Sequence, residues 1–282
     1  MIKIVADTTS GIPPKKAQEL DIAYIPQIII FGDEAYRDDT EIDNVTFLQK
    51  LRASPVLPKT AAPQPSLYTP IYQEFGQKGN TIVVICPSAE VSGTVRSATI
   101  AAQDFPEADI RILDTRTIGA GLASLVLQAV EWVNQGMGAD ELVKKLMEMS
   151  TRQKVYFLVD TLEYLHKGGR IGGAQKLVGG ILQVKPILTL KNGRAEAAES
   201  QRTKQRALAR LKELVITDYP KNQNGYLSIM HGGVEEEAIA LAKDLGTQLN
   251  IKPEDIPIYF LPPAILVHAG PGVLGVSFFM QQ

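Results

Sequence analysis

The sequence predicts an α/β protein of two domains. The first is an N-terminal three-layer domain with a parallel sheet, residues 1–152; the second is a C-terminal α+β domain with a mixed sheet, residues 153–282. Three observations predict this. The first half alternates short apolar runs with amphipathic segments, the pattern of a parallel sheet covered on both faces. The second half carries Lys191-Asn192-Gly193 between two strand-like runs, a hairpin signal that requires antiparallel pairing. A chain of 282 residues has the length of one large or two medium domains.

In chain order, strands are predicted over Lys3–Ala6, Ala23–Phe31, Thr81–Cys86 and Asp109–Leu113. Helices are predicted near Pro13–Leu20, Asn44–Arg52, Leu67–Gln77, Val95–Gln103, Gly119–Gln135 and Asp140–Met149. The stretch between, Pro55 to Pro70, reads as a proline-rich loop. Past the boundary near Arg152, Lys154–Val159 reads as a strand and His166 to Gly180 as a glycine-rich segment. Pro186–Leu190 and Arg194–Ala198 form the hairpin, Thr203–Ile216 a basic amphipathic helix, Gly225–Met230 a strand and Val234–Leu245 a helix. Pro257 to Met280 holds no Lys, Arg, Asp or Glu and is long enough to span a bilayer. Four prolines and three glycines deny it a regular spanning helix, so two short core strands around an irregular turn are predicted.

Composition narrows the function classes. A net charge of −2 gives no support for nucleic-acid binding. The single cysteine, Cys86, excludes an internal disulfide, and three scattered histidines make no zinc site. The N-terminal Met1-Ile2-Lys3-Ile4-Val5-Ala6-Asp7 reads as a first strand rather than the apolar core of a signal peptide, and a cytoplasmic protein is expected.

The most informative stretch is Ser88 to Ala98. An apolar strand ends there in a loop of hydroxyls and glycine, Ser92-Gly93-Thr94, that leads into a helix. Ser92 or Thr94 can cap that helix, and the free N–H groups of its first turn can hold an anion without any cationic side chain. No Gly-x-Gly-x-x-Gly follows the first strand and no Walker lysine is present, which excludes nucleotide binding by those routes. Asp7-Thr8-Thr9-Ser10-Gly11 leaves the first strand as hydroxyls for a ligand or as a plain turn and cap. Pro58-Lys59-Thr60 presents Thr60 on a rigid loop or merely connects two elements. Gly168-Gly169-Arg170-Ile171 projects an arginine towards a partner or a phosphate, or is a structural turn. Arg202, before the basic helix, opposes the helix dipole and either meets an external anion or is solvated. His268-Ala269-Gly270-Pro271-Gly272 places an imidazole on an unusual backbone path, as a core residue or aimed at a carboxylate.

Taken in order, these segments resemble the DegV family of bacterial fatty-acid-binding proteins. Asp7-Thr8-Thr9, Pro58-Lys59-Thr60, Ser92-Gly93-Thr94, Gly168-Gly169-Arg170-Ile171, Lys185-Pro186-Ile187, Asn192-Gly193, Arg202-Thr203, His231-Gly232-Gly233 and His268-Ala269-Gly270-Pro271-Gly272 carry the likeness. The resemblance implies a long-chain fatty acid buried between two domains, with no cofactor. It also implies a separate ATP-dependent fatty acid kinase as partner, to which the bound acid is presented for acyl phosphate formation. By the same resemblance Thr60, Ser92, Gly93, Thr94 and His268 fall on head-group positions, and Arg170 and Arg202 on positions of the kinase encounter. The family's loop usually reads Thr-Ser-Gln-Pro-Ser, whereas this chain has Ala61 after Thr60, which removes one hydroxyl. Two readings of another class use the same residues: acyl transfer with Ser92 as nucleophile and His268 as base, and sensing of a different small anion.

Overall fold

The computed structural model describes residues 1–177 and 184–281. Its elements are β1 (Ile2–Asp7), α1 (Pro14–Glu19), β2 (Ala23–Ile25), β3 (Ile28–Phe31), β4 (Glu34–Arg37), α2 (Asn44–Ala53), β5 (Lys59–Ala61), α3 (Thr69–Phe75), β6 (Thr81–Cys86), α4 (Thr94–Ala102), β7 (Asp109–Asp114), α5 (Ala120–Asn134) and α6 (Ala139–Thr151). They continue with β8 (Gln153–Leu158), α7 (Glu163–Lys167), β9 (Lys185–Lys191), β10 (Arg194–Gln201), α8 (Lys204–Asp218), β11 (Ser228–His231), α9 (Glu235–Leu249), β12 (Ile258–Phe260), α10 (Pro263–Ala269) and β13 (Leu274–Phe279).

The expected α/β architecture with a parallel and a separate mixed sheet is present. The first sheet, in the order β2-β1-β6-β7, is parallel throughout. Side chains alternate across a strand, and here both sets are apolar. Ile4, Ala6, Val83 and Ile85 pack on Leu122, Val126, Leu142 and Leu146 of α5 and α6. Val5, Ile82, Val84 and Cys86 pack on the other side against Tyr68, Tyr72 and Ala98. That is why the strands read as continuous apolar runs: neither face meets water. The second sheet, β10-β9-β8-β13-β11-β12, is antiparallel except for β11 beside β12. Tyr156, Leu158, Ile187, Val276 and Phe278 face α8 and α9, while Val155, Leu188 and Met230 face α2, β3 and α10.

Four expectations are corrected. Ala23–Phe31 is two strands in two sheets, because Pro26 lacks the N–H that a continuous ladder needs. The Pro55–Pro70 loop contains β5 and a short 3-10 turn, Pro65–Leu67, and β5 pairs with β3 in a small antiparallel sheet, β4-β3-β5. Between β12 and β13 stands a helix, α10, which starts on Pro262-Pro263, where the missing N–H of proline costs nothing. The cap of α4 is Gly93, with Ser92 one position earlier accepting the Thr94 N–H at 3.3 Å. Of the glycine-rich segment, 178–180 lie outside the described residues.

The hairpin joins the two sheets as well as the two strands. Asn192 and Gly193 both have positive φ, as a two-residue turn of this type requires, and Ser88 Oγ donates to Gly193 O at 3.0 Å. A β-carbon at Gly193 would overlap Ser88 Oγ. Gly193→Ala is expected to cost about 1–3 kcal/mol from forced backbone strain and the lost hydrogen bond, seen as a fall in melting temperature with unchanged secondary structure by circular dichroism.

Candidate functional site

A cleft opens between the two sheets, holding ≈ 880 Å³ not filled by protein atoms, counted out through its mouth. Most of its wall is apolar. Val155 and Phe157 come from β8, Leu190 and Ala195 from the hairpin, Met230 from β11, and Leu261, Ala264 and Ile265 from the approach to α10 and its start. Gly119, at φ 64°, closes against it so tightly that a β-carbon would sit 3.3 Å from Met230 Sδ. The parallel sheet and its loops contribute part of the polar lining: Thr9 after β1, Gln27 between β2 and β3, and Ser92 after β6.

Local structure aims each polar side chain. Thr60 lies on β5 in register with Ile29 of β3, so the small sheet fixes its direction. His268 lies in the last turn of α10, and its Nε2 is 2.9 Å from Thr60 Oγ1 across 208 residues of chain. The small sheet and α10 share one core, in which Ile29, Phe47 and Leu51 touch the cluster of Leu266 and Val267. Packing therefore brings the proline-loop threonine to the C-terminal histidine. Ser92 Oγ is 2.9 Å from Thr94 Oγ1. Gly93 backs onto the Thr60 loop, where an added β-carbon would be 3.1 Å from Ala62 Cβ. Arg170 turns back on the site: its Nε donates to Val91 O at 3.3 Å and its Nη1 to Gly168 O at 2.7 Å.

Thus Thr60, Ser92, His268 and Arg170 line one cleft, and Thr94 stands directly behind Ser92. Arg202 is exposed, one residue before Thr203, which caps α8 by accepting from Arg206 N. Behind Ser92 lies a buried polar network that the local sequence did not announce. Asp7 accepts from Thr9 N at 3.0 Å, from the Thr9 hydroxyl, from Gln27 Nε2 at 2.6 Å and from Thr94 Oγ1 at 2.7 Å. Asp38 accepts from Thr8 Oγ1 at 2.7 Å and Gln27 N at 2.8 Å. The Asp7-Thr8-Thr9 run hinted at it, since a carboxylate beside two hydroxyls suits dense hydrogen bonding. Gln27 gave no signal, because only its place after Pro26 puts it between two carboxyl groups.

Burial dominates the electrostatics. It raises the Asp7 carboxyl against the pull of its four donors, and lifts Asp38 to about 7 against the Thr8 hydrogen bond. It also pushes His268 down to about 4, with the Arg170 charge adding to the effect, so the imidazole is neutral at pH 7. Its Nδ1 has no partner among the described residues and lies against Gly168. A histidine depressed in the fold binds its proton first in the unfolded chain. Stability then rises with pH between about 4 and its ordinary value of 6.5, while Asp38, raised in the fold, contributes the opposite slope between 3.8 and about 7. His268→Gln is expected to remove the His268 share of the rising component, leaving that of His231, which burial also depresses. The urea midpoint of the variant therefore drops further below that of the parent as pH goes from 4 to 6.5. Parallel profiles would contradict the buried neutral imidazole.

The constellation lacks the geometry of an activated serine. His268 Nε2 meets Thr60, while Ser92 meets Thr94, and no Ser92–His268 hydrogen bond occurs among the described residues. No group of three His, Cys, Asp or Glu side chains among those residues is arranged to hold a metal ion.

The family model described as "Uncharacterised protein, DegV family" matches residues 1–281. This chain belongs to the DegV family. A DegV domain-containing protein of Streptomyces coelicolor is 35% identical over 277 residues, covering 98% of this chain and 97% of that one. Protein DegV of Bacillus subtilis is 30% identical over 280 residues, with 98% of each covered. Among solved structures, a DegV family protein of Thermus thermophilus described by its fatty acid binding superposes with a TM-score of 0.90 at 31% identity, over 99% of each chain. The crystal structure of DegV, a fatty acid binding protein from Bacillus subtilis, gives a TM-score of 0.86 at 28% identity over 99% of each chain. Both of these DegV proteins therefore share the fold of this chain over nearly their whole length. No helix among the described residues is long and apolar enough to cross a membrane.

Proposed function

We propose that this DegV protein binds a long-chain fatty acid in the cleft between its two units, residues 1–152 and 153–282. The acid's carboxylate is presented to a separate ATP-dependent fatty acid kinase in the cytoplasm. One observation supports the reading: an apolar cleft whose lining includes Ser92 and the hydrogen-bonded pair Thr60 and His268. The fatty acid binding of the Thermus thermophilus and Bacillus subtilis relatives supports it.

The energetics fit this task. Each buried methylene contributes about 0.8 kcal/mol, so a long acyl chain supplies on the order of 10 kcal/mol before the costs of binding. The head group then needs orientation and relief from desolvation rather than a salt bridge. Ser92 offers a hydroxyl, Gly93 the space beside it, and Thr94 holds Ser92 in place. Thr60 and neutral His268 complete the set. Arg170 borders both the cleft and an outer groove that also carries Lys59 and the Lys167–Glu163 ion pair, a lining of net positive charge suited to a phosphoryl donor. Arg202 is proposed as a further contact of the kinase. The protein itself is proposed to have no catalytic activity and to need no cofactor, since His268 meets Thr60 rather than Ser92 and so does not activate it as a nucleophile.

Native mass spectrometry of the purified protein, followed by lipid extraction, tests the reading. Recovery of one long-chain acid per chain is expected, and acyl phosphate should form when a fatty acid kinase and ATP are added. Several preparations with no acid and no uptake of added palmitate would overturn it.

A further inference from the structure

Ser92, Thr94 and Asp7 form one line from the cleft into the interior. Ser92 Oγ is 2.9 Å from Thr94 Oγ1, which is 2.7 Å from Asp7 Oδ2. Gln27 Nε2 braces the line, donating to Asp7 at 2.6 Å and to Thr94 at 3.0 Å. Each hydroxyl has one proton to give. While Thr94 gives its proton to Asp7, it can only accept from Ser92, and Ser92 then turns a lone pair to the cleft. Asp7 and Thr94 are each 1% exposed. A second carboxylate brought to Ser92 would place two negative charges close together in a poorly solvated interior, which is strongly unfavourable. One proton removes the conflict.

Resting on the fatty-acid reading above, we propose that Asp7 is the internal proton acceptor of the head-group site. An acid entering in its neutral form passes its proton through the Ser92 and Thr94 hydroxyls to Asp7 and is held as the carboxylate. The transfer balances. The acid O–H bond breaks as its proton joins Ser92 Oγ, the original Ser92 proton moves to Thr94 Oγ1, and the original Thr94 proton moves to Asp7 Oδ2. The interior holds one negative charge before and after, shifted from Asp7 to the ligand. Every hydrogen bond in the line reverses, so Ser92 now donates to the carboxylate it has helped to create. Asp7 acts through Ser92 and is a positioning residue. The burial that favours its protonated form supports this role.

Other titratable groups surround the line. Asp38 lies beyond the Gln27 backbone, Tyr24 is reached through Ser10, and Tyr68 and Cys86 lie near Asp7. His268 and Arg170 face the cleft. The test therefore has to separate Asp7 from these.

Calorimetric titration of palmitate at pH 8, in buffers of different ionisation enthalpy, counts protons taken up on binding. Palmitate is ionised in that solution, so the native protein is expected to draw about one proton from the buffer per acid bound. Its affinity should fall with rising pH, by up to about tenfold per unit, because the group is protonated in the complex and ionised in the free protein. Asp7→Asn should take up no proton and show a flat profile. Uptake that survives Asp7→Asn but vanishes in Asp38→Asn or His268→Gln would overturn the assignment, as would palmitate binding without uptake. Should Asp7→Asn not fold, infrared difference spectra of the native protein with carboxyl-13C palmitate decide. A new protonated side-chain carboxyl band that persists in Asp38→Asn supports Asp7, and a band that is absent, or is lost in Asp38→Asn, refutes it. Failure of palmitate to bind at all would overturn the fatty-acid reading together with this one.

Discussion

Ser92→Ala is expected to weaken binding of palmitate roughly 10- to 100-fold, the loss of one hydrogen bond to a charged group in a buried site. The variant should keep its fold, because Ser92 is half-buried in a loop and, among the described residues, its hydroxyl bonds only to Thr94. The apolar wall is untouched, so the loss should be independent of acyl length across a series of saturated acids. A constant decrement places Ser92 at the head group. A decrement that grows with chain length would place it along the tail, and unchanged affinity would remove it from the site.

Gly168→Ala acts on the other side of the head group and should have a comparable effect. Gly168 has an ordinary φ of −77° at the end of α7, so alanine is acceptable to the backbone itself. Its β-carbon would nevertheless overlap His268 Nδ1. Because α10 is anchored in the core by Leu266 and Val267, the imidazole has to swing rather than the helix. That movement breaks the 2.9 Å contact with Thr60. A fall in affinity of at least about tenfold is expected, with a melting temperature lowered by about 2–4 °C for each kcal/mol of strain. The His268 ring signals in NMR should shift as well. Unshifted signals with native affinity would show that the close approach of Gly168 has no bearing on the site.

These two residues show how much was legible beforehand. Ser92 and His268 stood out by local chemistry, a hydroxyl after a buried strand and a histidine among glycines and proline. Thr60 was visible for the same kind of reason. Their convergence was not, because it depends on β3 and β5 forming a sheet of three- and four-residue strands, too short for periodicity to register. The packing of that sheet on α10 is a contact between distant parts of the chain. The parallel sheet was easier, since strands apolar on both faces leave a strong signature. Choosing Gly93 over its two hydroxyl neighbours as the cap of α4 depends on one pair of backbone angles, φ −80° and ψ 3°. The Asp7–Gln27–Thr94 network was hidden for a related reason: Asp7 and Thr94 stood out separately, but they join through Gln27 only when β1, the Pro26 break and the α4 start meet.

The two units have separate tasks in this account. The parallel sheet supplies Ser92 and the network behind it, and the mixed sheet with α10 supplies His268 and most of the apolar wall. A crystal structure with palmitate brominated at its terminal carbon tests this most directly, because bromine marks the tail and unbrominated density traces the rest. An anomalous peak is expected among the apolar side chains between the sheets, with the carboxylate at hydrogen-bonding distance from Ser92. A peak outside the cleft, or a carboxylate turned away from Ser92, Thr60 and His268, would contradict it.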